Sequence, residues 1–176
     1  MKGISVWIFS KMVMLVFLIL TFSTVLGFLK LTNERISVDS AEGVAMQIKD
    51  AMQSTLYANT LTSEAAVPIP KTLPEISETY VSGRLKVYTV QVNVTGPKDR
   101  QVVFAMVGWG NAPAAYASAS SFVTSDITAD PPMGLSFLSQ DYRYFIVKKQ
   151  ATSSGVKLCF KACKTSTFTS CVGCTT

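Results

Sequence analysis

The chain has 176 residues, four cysteines, no histidine and a formal net charge of +5. Without histidine, it lacks the side chain that proteins use most often as a general base and as a metal ligand. Its 11 acidic residues are dispersed, and no pairing of a nucleophile with a base is recognisable, so we predict no enzyme, catalytic site, metal site or cofactor. The length leaves room for one domain of ordinary size besides an anchor.

An uncharged run from Met12 to Leu29 dominates the N-terminal part. At a helical rise of about 1.5 Å per residue, this run nearly crosses a hydrocarbon core of about 30 Å. Residues 4–9 extend the apolar tract toward the N-terminus, and Lys11 is the only charge between the two stretches. We therefore predict a transmembrane helix over residues 4–29, which makes the membrane the first expected partner.

Residues 30–58 continue the helical pattern, but with only one apolar face. Apolar side chains recur at spacings of three, four and seven, the period of an amphipathic helix. This stripe consists of Leu29, Ile36, Ala41, Val44, Ala45, Ile48, Met52 and Leu56. No proline occurs before Pro68, so we predict one helical rod that ends near Tyr57. Gly27 and Gly43 are its expected soft points.

The features around the run favour export of the C-terminal part. Because few residues precede the run, the simplest insertion into the cell membrane leaves the N-terminus inside and the large domain outside. A sequon at Asn93 is a candidate N-glycosylation site, and four cysteines suit an exported domain. Two alternatives stay open: a secretory signal cleaved at Gly27, and an ordinary signal anchor without special processing.

Lys2-Gly3 followed by Ile4-Ser5 resembles the processing site of archaeal type IV prepilins, where a short basic leader ends in glycine directly before the hydrophobic helix. The layout that follows is similar too, with a membrane-spanning half-helix, an amphipathic half-helix and a small β-rich domain. The resemblance implies a leader of residues 1–3, cleavage between Gly3 and Ile4, and a subunit of a surface filament. It also implies self-association, or association with other pilin-like subunits, through the N-terminal helix.

Residues 59–79 are small, polar and proline-bearing, which predicts an extended linker. The β-rich head then spans residues 80–176. Within it, residues 84–94 alternate between apolar and polar side chains, and residues 102–109 form a more continuous apolar run. With a Gly-Pro turn between them, these two stretches predict a β-hairpin.

Residues 111–134 are rich in Ala, Ser and Pro, which predicts a long surface loop with at most a short helix or irregular strand near Phe122. This loop is the first candidate for a contact surface. Residues 142–149 and 156–163 predict a second hairpin. The expected fold class is α+β, with the long helix packed on a small antiparallel sheet of four or five strands.

Six basic residues and no acidic one lie between Arg143 and Lys164. Such a run could attract nucleic acid, an anionic polysaccharide or a neighbouring subunit. Lysines at alternating strand positions are also typical of the solvated face of a sheet, and we favour that interpretation. No aromatic-interleaved binding stripe accompanies the charge, so we expect no nucleic acid partner.

The four cysteines lie close to the C-terminus, at Cys159, Cys163, Cys171 and Cys174. On an extended strand the first two are about 13 Å apart, whereas a disulfide needs Cα atoms within about 7 Å, so each must pair with the tail. In the nested pairing Cys163 bonds Cys171 and the outer two bond each other, which requires a small bulge. Crossed disulfides and a four-cysteine zinc site are the alternatives, and for an exported chain we favour disulfides that fix the tail.

Overall fold

A computed structural model describes residues 2–74, 85–97, 100–109, 116–123, 126–153, 155–165 and 170–174, with side chains from Trp7 onward except at 85 and 116–119. The helix is α1 (Lys2–Tyr57). The strands are β1 (Thr62–Pro68), β2 (Leu73–Pro74), β3 (Leu85–Lys86), β4 (Thr89–Thr95), β5 (Gln101–Gly108), β6 (Tyr116–Val123), β7 (Ile127–Asp130), β8 (Leu135–Leu138), β9 (Tyr144–Thr152), β10 (Gly155–Cys163) and β11 (Cys171–Gly173). The long helix packs on β-sheets, so the expected α+β class is confirmed.

α1 is one unbroken helix of 56 residues, roughly 84 Å long at the helical rise. The transmembrane and amphipathic stretches predicted from the sequence are therefore parts of one element. Gly27 and Gly43 do not interrupt it, and a Cβ built at either glycine would meet no atom within 4 Å. The predicted rod ending near Tyr57 is confirmed.

Only the upper part of the apolar stripe is covered by the head. The buried stripe residues are Ala41, Val44, Ala45, Ile48, Met52 and Leu56. Leu29 and Ile36 remain 56% and 50% exposed, so the head does not cover the lower end of the stripe. Burial begins at Ser37 because the helix is longer than the sheets that pack on it.

A five-stranded sheet contains β1, β9, β10 and β11 in that order, with β7 paired to β10. The β9–β10 pair confirms the second predicted hairpin. The segment expected to be a linker contributes β1, which pairs with β9 from Thr62 to Pro68. Pro68 is the last residue of this edge strand, a position at which a missing N–H disrupts no ladder.

A four-stranded sheet has the order β6-β5-β4-β8, and its β4–β5 pair confirms the first predicted hairpin. The prediction of a long loop over residues 111–134 is wrong for most of the described part, because β6 and β7 lie there; the strand considered near Phe122 belongs to β6. Residues 111–115 and 124–125 lie outside the described parts. The full length of β6 was not predicted, because the strand alternates Ser with Ala and this alternation gives little hydrophobic contrast.

The head therefore has two larger sheets instead of the single antiparallel sheet expected, and β7 runs parallel to β10. The short β2–β3 pair is separate. The buried Gln101 side chain joins the sheets: its Oε1 accepts from the N–H of Ile127 and its Nε2 donates to the same residue's carbonyl, both at 2.7 Å. Both sheets and the upper part of α1 share one hydrophobic core.

Candidate membrane and assembly surface

We call residues 7–29 the apolar half of α1. Every side chain from Trp7 to Val25 is exposed, including large ones that water solvates poorly. Among them are Phe9, Met12, Leu15, Phe17, Leu18, Ile19, Leu20 and Phe22. No described part of the head covers this surface, and by length and composition the helix is suited to span a membrane.

Two threonine hydroxyls within the apolar half are satisfied by the helix itself. Thr21 Oγ1 donates to the carbonyl of Phe17 at 2.8 Å, and Thr24 Oγ1 donates to the carbonyl of Thr21 at 2.8 Å. An unpaired hydroxyl would be costly in lipid or in a protein core, where water is absent. These two threonines are therefore compatible with an apolar environment.

Charged residues bound the uncharged run at each end. Lys11 is exposed, and its ammonium lies 5.6 Å from the centre of the Trp7 ring. At the other end, Lys30 Nζ lies 3.9 Å from Glu34 Oε1. Trp and Lys are typical of the membrane–water interface, where the ring and the methylene chain stay in contact with lipid while the polar ends reach water. Lys11 and Lys30 thus delimit the stretch that a bilayer would accommodate.

The residues of the predicted processing site lie in the first turn of α1. The helix begins at Lys2, so the backbones of Gly3 and Ile4 are helical. The side chain of Ile4 lies outside the described side chains. Cleavage between these two residues stays a prediction.

The C-terminus of α1 is joined to the head by Lys149 of β9. Its Nζ donates to the carbonyls of Leu56 and Ala58, each at 2.8 Å, and the side chain is buried. The last helical turn has no basic residue of its own, so Lys149 supplies the cation that the helix end favours. From the sequence we expected this lysine on the solvated face of the sheet, which is wrong because its side chain is buried. The only sequence signal of its role is the absence of a basic residue in the last turn of the helix.

The four cysteines form two disulfides in the nested arrangement. Cys163 bonds Cys171 and Cys159 bonds Cys174, with Cα–Cα distances of 4.1 and 5.6 Å. No described cysteine is free. The bulge that the nested pairing was expected to require has a structural counterpart at Gly173.

Gly173 gives the tail the turn that the nested pairing requires. The β10–β11 register places Gly173 opposite Lys161, so a regular strand would direct Cys174 away from Cys159. Instead, Gly173 has φ +120°, and the N–H of Cys174 donates to the carbonyl of Phe160 at 3.1 Å. A Cβ at this position would overlap the Phe160 carbonyl oxygen, so glycine is required.

Asn93 of the sequon lies on β4 and is half-buried. Its Oδ1 accepts a hydrogen bond from the N–H of Val94 at 2.7 Å. A side chain at Gly134 would approach the Asn93 Cβ and Cγ at 2.8 Å, so the turn before β8 packs closely on the asparagine. Glycosylation at Asn93 stays a prediction.

Among the described residues, no group of three or more His, Cys, Asp or Glu side chains is arranged to hold a metal ion. The features that stand out in the described part are instead a bare apolar half-helix, a capped junction and a disulfide-fixed tail. No protein-family model matches the chain, and no curated protein or solved structure matches it significantly.

Proposed function

We propose that the chain is a structural subunit of a pilin-like surface filament. Before assembly, the apolar half of α1 anchors it in the cell membrane, with the N-terminus inside and the head outside. After assembly, the same surface packs against the equivalent helices of neighbouring subunits. The observation that carries this proposal is the division of one continuous helix into an upper part with one buried face and an apolar half that is exposed on all sides from Trp7 to Val25.

The exposed apolar half supports the proposal energetically. Removing a large apolar side chain from water contributes roughly 1.5–3 kcal/mol, so a surface of many such residues strongly favours a lipid or protein environment. A bilayer and a bundle of identical helices both provide that environment. The two internally bonded threonines suit either one.

The junction between helix and head also supports a structural role. Lys149 bonds the end of α1, and Gln53 Nε2 donates to Ser121 Oγ at 3.0 Å on β6. Together with the buried stripe, these contacts fix the head to the upper part of the helix. A subunit of a filament needs such a connection, because the position of the helix must determine the position of the head.

The N-terminus of the mature protein tests the proposal. We expect mass spectrometry of the protein isolated from its own cells to find Ile4 as the first residue. Substituting Gly3→Val should leave the leader attached, whereas the control Gly27→Val, at an uncrowded helix position, should not change the start. A start at Phe28 would mean a secreted soluble domain, and retention of Met1 would mean a plain anchor; either would contradict the proposal.

A second candidate function is a single-pass anchored binding module that does not polymerise. Lys11 favours it, because an ammonium buried among apolar helices needs a partner or a path to water. In a lone helix the same lysine would simply extend to the interface. Electron microscopy of sheared surface filaments separates the two functions, because only a filament subunit would be found along their length.

A further inference from the structure

A groove lies at the end of the five-stranded sheet where β1, β9 and β10 meet. We call it the basic groove; its lining residues are Pro68, Ile69, Arg143, Tyr144, Lys164 and Thr165, and its volume is about 480 Å³. The groove is shallow and wide open to solvent. The groove is distant in sequence from the apolar half and is not used by the proposed filament function.

Backbone hydrogen bonds fix the frame of the groove. The N–H of Ile69 donates to the carbonyl of Arg143 at 2.7 Å, and the N–H of Arg143 donates to the carbonyl of Cys163 at 2.9 Å. Cys163 is held by its disulfide to Cys171, and Lys164 follows it directly. The segments that carry the two cations are therefore tied together before any ligand binds, which lowers the entropic cost of binding.

The groove is positively charged and not neutralised from within. Arg143 and Lys164 are exposed, and among the described residues neither has an ion-pair partner. None of the described residues that line the groove is acidic, although the exposed Asp141 lies two residues before Arg143. The Lys164 ammonium lies 6.0 Å from the centre of the Tyr142 ring. An aromatic ring, that of Tyr142, thus lies beside the basic residues of the groove.

We propose that the basic groove binds an acidic polysaccharide that contains uronic acid residues. The Arg143 guanidinium matches the two oxygens of a sugar carboxylate, and Lys164 offers a second, more adaptable cation. The exposed Pro68 offers an apolar surface to the C–H face of a sugar ring. This binding is independent of whether the chain polymerises.

The test uses the full chain in nanodiscs of phosphatidylcholine and measures binding to immobilised polygalacturonate at roughly 0.1 M salt, where long-range attraction is largely screened. Neutral dextran and double-stranded DNA are the comparison ligands. The variant R143Q/K164Q removes the two groove charges. The control R35Q/R100Q removes two charges from exposed positions elsewhere, so both variants have the same net charge.

The proposal predicts that the wild type binds polygalacturonate, not dextran, and that R143Q/K164Q weakens binding at least about tenfold, the value of one charge-assisted hydrogen bond. The control should change affinity by less than about twofold. Equal losses in both variants would mean general charge attraction and overturn the proposal, as would absence of polygalacturonate binding. Tighter, groove-dependent binding of DNA would assign the groove to nucleic acid instead. Circular dichroism of both variants confirms that the fold is retained.

Discussion

Lys149 supplies the positive charge that the last turn of α1 lacks, and it does so from a buried position on β9. Substituting Lys149→Met should leave the carbonyls of Leu56 and Ala58 without their donor. Because buried acceptors that lose a charged donor cost roughly 1–3 kcal/mol, we expect the free energy of unfolding to fall by about that amount. Chemical denaturation in detergent measures it. The adjacent half-buried Lys148→Met is the control, and an equal effect of both substitutions would exclude the capping role.

Gly173 permits the turn that brings Cys174 to Cys159. We expect Gly173→Ala to prevent this turn, since the added Cβ would overlap the Phe160 carbonyl, and so to leave free thiols at Cys159 and Cys174. Alkylation followed by mass spectrometry detects them. Gly43→Ala, in open space on the helix, should leave both disulfides intact and stabilise the helix by up to about 1 kcal/mol. Complete oxidation of the Gly173 variant would contradict this account of the tail.

Tyr88 makes the free energy of unfolding depend on pH in the alkaline range. Burial raises the pKa of its phenol above the ordinary value, and the positive charge of Arg143 opposes this effect only in part. In the unfolded chain the phenol ionises near pH 10, whereas the folded state retains the proton, which donates to the Pro70 carbonyl at 2.6 Å. The contribution is thus fully present below pH 10 and is lost as the pH rises further.

We therefore expect stability to decrease above pH 10 by up to about 1.4 kcal/mol per pH unit from this residue. Unfolding midpoints measured between pH 8 and about 11 check the prediction. Tyr88→Phe should have a lower midpoint at pH 8 and a shallower alkaline slope. Identical slopes in the two proteins would show that other groups dominate the alkaline response.

At the scale of elements, the two ends of α1 differ in how much of their surface the head buries. Ile48 is fully buried under the head, whereas Ile36, twelve residues earlier on the same helix, is half exposed. Ile48→Ala should leave a cavity and cost about 2–4 kcal/mol of head stability, while Ile36→Ala should change it by less than about 0.5 kcal/mol. Denaturation of the two variants in detergent provides the comparison. Similar losses would mean that the head reaches further down the helix.

Elements with strong hydrophobic periodicity were predictable from the sequence, and elements with weak contrast were not. The helix and both hairpins follow from periods of 3.6 and 2 in apolar residues. β6 alternates Ser with Ala, and β1 ends in proline, so each resembles a loop by composition. Both strands form because neighbouring strands supply the hydrogen bonds and the helix supplies a cover, which are tertiary effects that no local pattern encodes.

The candidate surfaces also differ in whether a local sequence pattern predicts them. The apolar half of α1 is a continuous local feature and was readable from the sequence, as was the proximity of the cysteines to one another. The junction at Lys149 and the bridge at Gln101 depend on residues far apart in the chain. In the sequence, Lys149 and Gln101 are simply polar residues within strands. Only the assembled fold shows that each side chain bonds backbone groups that would otherwise have no partner.

At the scale of the whole molecule, the chain has one β-rich head and one long helix that extends beyond it. The head has its own core, shared by two sheets and the upper part of α1, and two disulfides fix its C-terminus. The apolar half of α1 has no counterpart in the described head to cover it. By length and composition this lower part is suited to span a membrane, and we propose that it also packs against other copies of the helix.

Electron microscopy of filaments sheared from the cells that make the protein tests this account most directly. With antibody against the head as the label, we expect thin filaments decorated along their length, whose core at helical resolution contains the apolar half of α1. Deleting the gene should remove these filaments. If the label instead stays with the membrane fraction, and no filament contains the chain, the protein is an anchored module and not a filament subunit.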